Sequence, residues 1–334
     1  MNSHSSQYGR RLARRLFFAF RVVISISILV YLVTVFDWER AKEVVATIQW
    51  EHAWPAPLLL LTSLVPTALR WQLLLAQFRI KLRFAEALLF YIVGHYYGIL
   101  LPGILGGDMV RMGLCASETG ARLPDVAATA IIERLFGLSM VLLIGCCGIL
   151  LLPESIRSDL GRPVIGVLIV VSIGAFVALF AGYGITRFVS LSHRQNVTGW
   201  RRWISEIVRI YTVVRNIPLR TLLLVAVLSG LAQGLDIGAS YFLAQSINID
   251  LPLAFFLVAI PIVYLGTVLP ISLGGLGVRE GILLVILTRV GELSSDAIIL
   301  SSLLYLNRVF VAAIGGIAQF ANGIYAIKKK ERVP

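Results

Sequence analysis

Charge is what this sequence has least of. Only 14% of its 334 residues are charged, against about a quarter in an ordinary soluble domain. Its longest polar stretch, Tyr183–Pro218, is too short to fold around a core of its own, so a soluble domain has no room. Cysteine is almost missing. Of the three, Cys146 and Cys147 are adjacent within an apolar run and Cys115 stands alone, which excludes a disulfide framework and matches no metal spacing. They read as small apolar packing residues. A phosphate-binding Gly-Lys loop, a His-Glu-x-x-His pair, a dinucleotide fingerprint and a nucleophile elbow are all lacking, and nothing points to a Ser–His–Asp arrangement. No cofactor is expected.

Apolar residues are abundant, at 58%, with a mean hydropathy of +0.86. They come in long blocks, among them Val22–Phe36, Ala56–Leu75, Val126–Leu152, Val164–Gly182, Thr221–Ala244 and Ile298–Ile327. A helix needs roughly 20 such residues to cross about 30 Å of hydrocarbon. The basic Arg10–Arg15 start ahead of the first block looks like a signal peptide. No small-residue cleavage site closes it before Asp37, so an anchor that stays is expected. The net charge of +12 raises nucleic acid as a partner. The bases, however, sit between apolar blocks, which is the pattern of the positive-inside rule, and no nucleic acid is expected.

Four segments are basic: Arg10–Arg15, Arg79–Arg83, the Arg187–Arg215 stretch and Lys328–Arg332. They belong on the cytoplasmic side, together with both termini, in an inner cell membrane. Asp37–Glu51, Pro153–Arg162 and Asn248–Pro252 are poorer in bases and should face outward. Full spans over about 16–36, 54–77, 126–152, 163–182, 219–246 and 297–327 satisfy this pattern only if residues 85–125 leave the cytoplasm and return to it. Residues 252–296 must likewise enter and leave from the outer face. Each stretch holds one apolar arm, then a Pro and a Gly pair, and the first arm measures about 24 Å at 1.5 Å per residue. A re-entrant broken helix fits each, and two tight full crossings have the same parity. The expected fold is an all-α polytopic membrane protein forming one domain over 1–334, with six full spans, two re-entrant hairpins and a cytoplasmic basic loop at 183–218.

The two stretches repeat one motif. Gly98–Arg111 and Gly266–Arg279 align without gaps at an offset of 168, with eight identities in fourteen positions, including Pro102/Pro270, both Gly pairs and Arg111/Arg279. A weaker echo sets Glu133–Phe136 against Asn307–Phe310. The halves run about 78–152 and 246–327, and with the parity argument they are inverted. Inverted repeats with matched broken helices point to a transporter-like architecture whose site lies between the repeats. Broken backbone at membrane depth is tolerated only when packed in protein or lining a wet cavity. A helix starting after each Gly pair would offer free N–H groups to an anion, and Arg111 and Arg279, one turn in, could grip a phosphate bidentately.

Ionisable side chains within apolar spans either lock helices together or line a cavity. The charged candidates are Asp108, Arg111, Glu133, Arg134, Asp236, Arg279, Glu280 and Arg308. Glu133 and Arg134, as sequence neighbours, point different ways and should not pair only with each other. The expected ligand-binding set is Gly106, Gly107, Asp108, Arg111, Glu133, Arg134, Gly274, Gly275, Arg279, Glu280 and Arg308. His95 beside Tyr91 is a packing residue, a proton relay or a headgroup contact. Arg70-Trp71 reads as an interfacial snorkelling anchor, Trp38, Trp50 and Trp54 as an aromatic belt, and Trp200–Val214 as a basic surface helix.

Gly106-Gly107-Asp108-Met109-Val110-Arg111, Glu133-Arg134-Leu135-Phe136-Gly137 and the run from Pro270 to Gly281 together resemble the flippase-like transmembrane domain of bacterial lysylphosphatidylglycerol synthases (multiple peptide resistance factor). The resemblance covers nearly the whole chain. It implies translocation of an anionic or aminoacylated phospholipid, or a lipid-linked amphiphile, between leaflets. In the synthases an aminoacyl-transferase domain follows, whereas this sequence stops at Pro334, so lysyl transfer is not expected. A membrane-embedded enzyme, or an accessory subunit serving a lipid-modifying enzyme, stands as the alternative.

Overall fold

The computed structural model describes residues 48–100, 106–161, 216–268 and 277–331, with single positions at 42, 46, 165, 166, 168–170, 172 and 213. The expected spans at 16–36 and 163–182, most of the 183–218 loop, and Gly274 and Gly275 lie outside them or are touched only at single positions.

Helices account for nearly all the described residues. In chain order they are α1 (Trp50–Ala53), α2 (Pro55–Gln77), α3 (Phe84–Leu100), α4 (Gly106–Thr119), α5 (Leu123–Leu151), α6 (Leu219–Gln245), α7 (Leu253–Val268), α8 (Val278–Arg289) and α9 (Ser294–Glu331). Four stretches, Trp50–Gln77, Leu123–Leu151, Leu219–Gln245 and Ser294–Phe320, are long and apolar enough to cross a membrane. They coincide with four of the six expected full spans.

Local chemistry sets the ends. Pro55 stands in the first turn of α2 and Pro124 in that of α5, where a missing N–H is harmless. At its C-terminus α2 turns through Arg79 in the left-handed region (φ 59), and the Ile80 N–H reaches back to the Leu75 carbonyl. α6 ends identically, through Asn248 (φ 61) and an Ile249-to-Ala244 bond. In both, an isoleucine buried just past the turn supplies the apolar contact that accompanies this type of helix end.

The 168-residue repeat is visible in the helices. Shifting α3 by 168 gives 252–268, against the observed Leu253–Val268 of α7, and shifting α5 gives 291–319, within reach of the start of α9. In each half the second helix packs on the first and third. The third helix of each half also lies along the first helix of the other, α5 on α7 and α9 on α3. Glycines set these crossings. A Cβ at Gly148 would fall 2.7 Å from Leu257 Cβ, and one at Gly315 would fall 2.2 Å from the Ile92 carbonyl oxygen. Such close approach between helices in lipid depends on small residues. α2 and α6 form the most extensive helix pair and flank the two halves.

Apolar clusters place the ends. Ala56, Leu160, Ile249, Leu287 and Ala297 share one cluster, and Gln49 bonds Asn248 at 2.8 Å beside it. At the other end Ile80, Leu82, Ala87, Cys115 and Val126 meet, with Ile217 and Val225 joining Leu74 nearby. The base-poor segments thus gather at one end, and the Arg79–Arg83 turn and the entry to α6 at the other. α3 starts and α4 finishes at the basic end, while α7 starts and α8 finishes at the opposite end.

Candidate functional site

The first half folds around a sealed cluster of charges. Glu133 on α5 accepts from Arg70 on α2 at 2.5 Å through one carboxylate oxygen and from Arg111 on α4 at 2.9 Å through the other. Tyr91 on α3 donates its hydroxyl to the same carboxylate. Arg70 also donates to Ser229 on α6 at 2.9 Å. The Arg111 guanidinium lies 4.0 Å from the Tyr91 ring centre and 4.5 Å from that of Trp71, so aromatic faces cover what the carboxylates leave. Trp71 in turn donates to Thr129 at 3.0 Å. Removing such charges from water costs several kcal/mol per ion and is offset only by close, multiply bonded pairing, which five helices supply here.

Arg70 and Trp71 are therefore not a snorkelling anchor. They are 6% and 0% exposed, because the helix face that carries them meets α5 and α6 rather than lipid. Glu133 and Arg134 do diverge. Arg134 turns to Asp108, donating from Nε at 2.8 Å and from a terminal nitrogen as well, and Asp108 also receives Arg111 at 3.1 Å. Gly107 has a packing role: a Cβ there would stand 2.2 Å from the Gly94 carbonyl oxygen, so Gly106-Gly107 lets α4 lie directly on α3.

The second half uses the same arginine position with a different acid. Arg279 donates through Nε to Ser301 at 2.9 Å and pairs with its neighbour Glu280, to which Ser301 donates at 3.0 Å. Arg111–Glu133 and Arg279–Ser301 are both separated by 22 residues, so Ser301 occupies the place of Glu133 and the carboxylate has moved to Glu280. This fixes the register at 168. The echo of Glu133–Phe136 in Asn307–Phe310 is six residues out of that register and is not a structural equivalence. At the start of α8, Glu280 accepts the Gly277 N–H at 2.7 Å.

Beside Arg279 lies a narrow cleft of about 30 Å³ bounded by α2, α6, α7, α8 and α9. Its polar lining is Asp236, Ser240, Tyr264, Thr267, Arg279, Asn307 and Arg308. Arg308 and Asp236 form its loosest pair, 3.8 Å apart, with side chains 50% and 26% exposed. All of this lining comes from the second half and from α2 and α6. Arg111 does not line this cleft; it is 2% exposed and enclosed in the first cluster. Of the expected binding set, Arg279 and Arg308 line the cleft. Asp236 on α6, Asn307 and Tyr264 were outside the expected binding set; Asp236 had a signal as an acid in the middle of an apolar span, and Asn307 only as the start of the weak echo.

A model of the family described as the lysylphosphatidylglycerol synthase TM region matches residues 18–316. No curated protein matches the chain. With its matched motifs, its exchanged helices and four helices able to span a bilayer, the chain is a multi-pass membrane protein that belongs to the lysylphosphatidylglycerol synthase TM-region family.

Proposed function

We propose that this chain binds the headgroup of an anionic phospholipid or lipid-linked amphiphile at the cleft between its second half, α2 and α6 and carries it from one leaflet to the other. The observation that carries the reading is the Arg308–Asp236 pair: two opposite charges, partly exposed and 3.8 Å apart, in a cleft among apolar helices. Charges in such a place usually mark a substrate path, and a guanidinium held this loosely can exchange its carboxylate for a phosphate. The sealed Arg111 cluster serves as the fixed frame. Lipid handling in the family supports the substrate class.

In this reading α3–α4 and α7–α8 are re-entrant hairpins that open from opposite faces. At 1.5 Å per residue the arms measure about 26, 21, 24 and 18 Å, short of a hydrocarbon core of about 30 Å. The ends that meet in opposite apolar clusters support the inversion. The basic end with Arg79–Arg83 faces the cytoplasm of a cell membrane, as positive-inside asymmetry requires. The chain moves lipid and does not modify it; a covalently altered lipid made by the purified protein would overturn that part.

Leaflet exchange of a labelled phosphatidylglycerol in vesicles of purified protein tests the proposal. Arg308→Ala is expected to slow exchange by about tenfold or more, since a charge-assisted hydrogen bond contributes about 1.5–3 kcal/mol and 1.4 kcal/mol is tenfold. Unchanged exchange in a folded variant would remove Arg308 from the site.

A further inference from the structure

Asn307 is buried at 8% exposure, lines the cleft, and its Oδ1 has no hydrogen-bond partner. Most buried side-chain polar atoms are satisfied, and a buried acceptor without a donor costs about 1–3 kcal/mol. The fold offers a reason to bear that cost: the amide stands next to Arg308 on α9 and opens on the same cleft as the Asp236 carboxylate. Arg279, the other cation there, is already held by Glu280 and Ser301. The cleft thus presents one loosely held cation beside two acceptors, a neutral amide oxygen and a carboxylate.

We infer that this cleft selects headgroups in which the phosphate is followed by a hydrogen-bond donor, and that Asn307 is the residue that reads the donor. The inference rests on the proposed lipid-headgroup role and adds the chemical class. The phosphate goes to Arg308, and a hydroxyl or ammonium a few bonds further on goes to Asn307 Oδ1 and Asp236. A headgroup without a donor leaves the buried Asn307 Oδ1 unpaired. Sites built to hydrogen-bond a substrate group reject an analogue lacking it far more strongly than apolar pockets discriminate by size.

Four lipids with matched acyl chains separate the possibilities when bound to, and exchanged by, the full chain in vesicles. Phosphatidylglycerol offers hydroxyl donors and phosphatidylethanolamine an ammonium donor, whereas phosphatidylmethanol and phosphatidylcholine keep the charged phosphate and offer neither. The wild type is expected to favour one or both of the first pair over the second pair by about tenfold, the worth of one buried hydrogen bond. Which of the two is favoured identifies the donor as hydroxyl or ammonium. Asn307→Leu, close in volume, is expected to bring the ratio to near one while binding persists. Asn307→Ala, whose vacated space joins the cleft, gives the same reading if Leu does not fold. Equal handling of all four lipids by the wild type overturns the inference, as does an unchanged ratio in a folded Asn307 variant. If the wild type handles none of the four, the lipid-carrier reading falls and the inference falls with it.

Discussion

Glu133 neutralises two arginines at once, each less than a tenth exposed. Glu133→Gln keeps the shape and leaves Arg70 and Arg111 with a buried surplus of charge. A loss of about 3–5 kcal/mol of stability is expected, read as a large drop in thermal midpoint in detergent; a midpoint near wild type would show that the cluster is not sealed. Arg308→Ala is expected to leave that midpoint nearly unchanged, because its pair is loose and half in the open. A second titratable group lies outside the spans. Burial, and then the carboxylates of Asp296 and Asp250, push Glu292 above its ordinary value of 4.5. The folded state therefore holds this proton more tightly than the unfolded chain. Its contribution is fully present below about 4.5 and is lost as pH rises through the raised folded value. Glu292→Gln should flatten that decline and be more stable than wild type at neutral pH. An identical pH profile in the two proteins would contradict the placement of Glu292 beside the other acids.

At the scale of helices, the glycine contacts give graded expectations. Gly107→Ala must push α4 off the Gly94 carbonyl, and Gly315→Ala must push α9 off Ile92. Both are backbone-limited and are expected to destabilise strongly or prevent folding. Gly113→Ala, on an exposed stretch of α4 with nothing within 4 Å, should be neutral or stabilising by about 0.5–1 kcal/mol. Expression and monodispersity of the three variants check this, and equal behaviour would contradict the packing. The helices were the legible part of the chain. The gapless offset of 168 located α3/α7 and α4/α8, since a Pro, paired Gly and Arg at fixed spacing encode a break and a helix start. Arg70 was misread because its partner lies 63 residues away, and a local window cannot tell an arginine that faces another helix from one that faces lipid. The move of the acid from the Glu133 position to Glu280 was hidden for a similar reason. Ser301 carries no charge to notice, and the echo at Asn307-Arg308 drew the comparison six residues off.

For the molecule as a whole, the exchange of third helices between halves means that neither half closes its core alone, and the cleft lies between the second half, α2 and α6. Single cysteines in a chain otherwise free of them test the arrangement of ends. Arg79→Cys and Gly120→Cys should react with a membrane-impermeant reagent from one side only, and Asp250→Cys and Gly291→Cys only from the other. Gly120 reacting with the Asp250 side would make α3–α4 a full crossing and cancel the hairpin reading. The claim on which the functional account turns is that a lipid headgroup occupies the cleft, and protection of a cysteine there tests it most directly. Thr267 lines the cleft, and Thr267→Cys should react with a small thiol reagent and be slowed several-fold by short-chain phosphatidylglycerol. The protection should vanish with Arg308→Ala, and Gly113→Cys should react at the same rate with or without lipid. Modification of Thr267→Cys at one rate whether or not lipid is present would contradict the account.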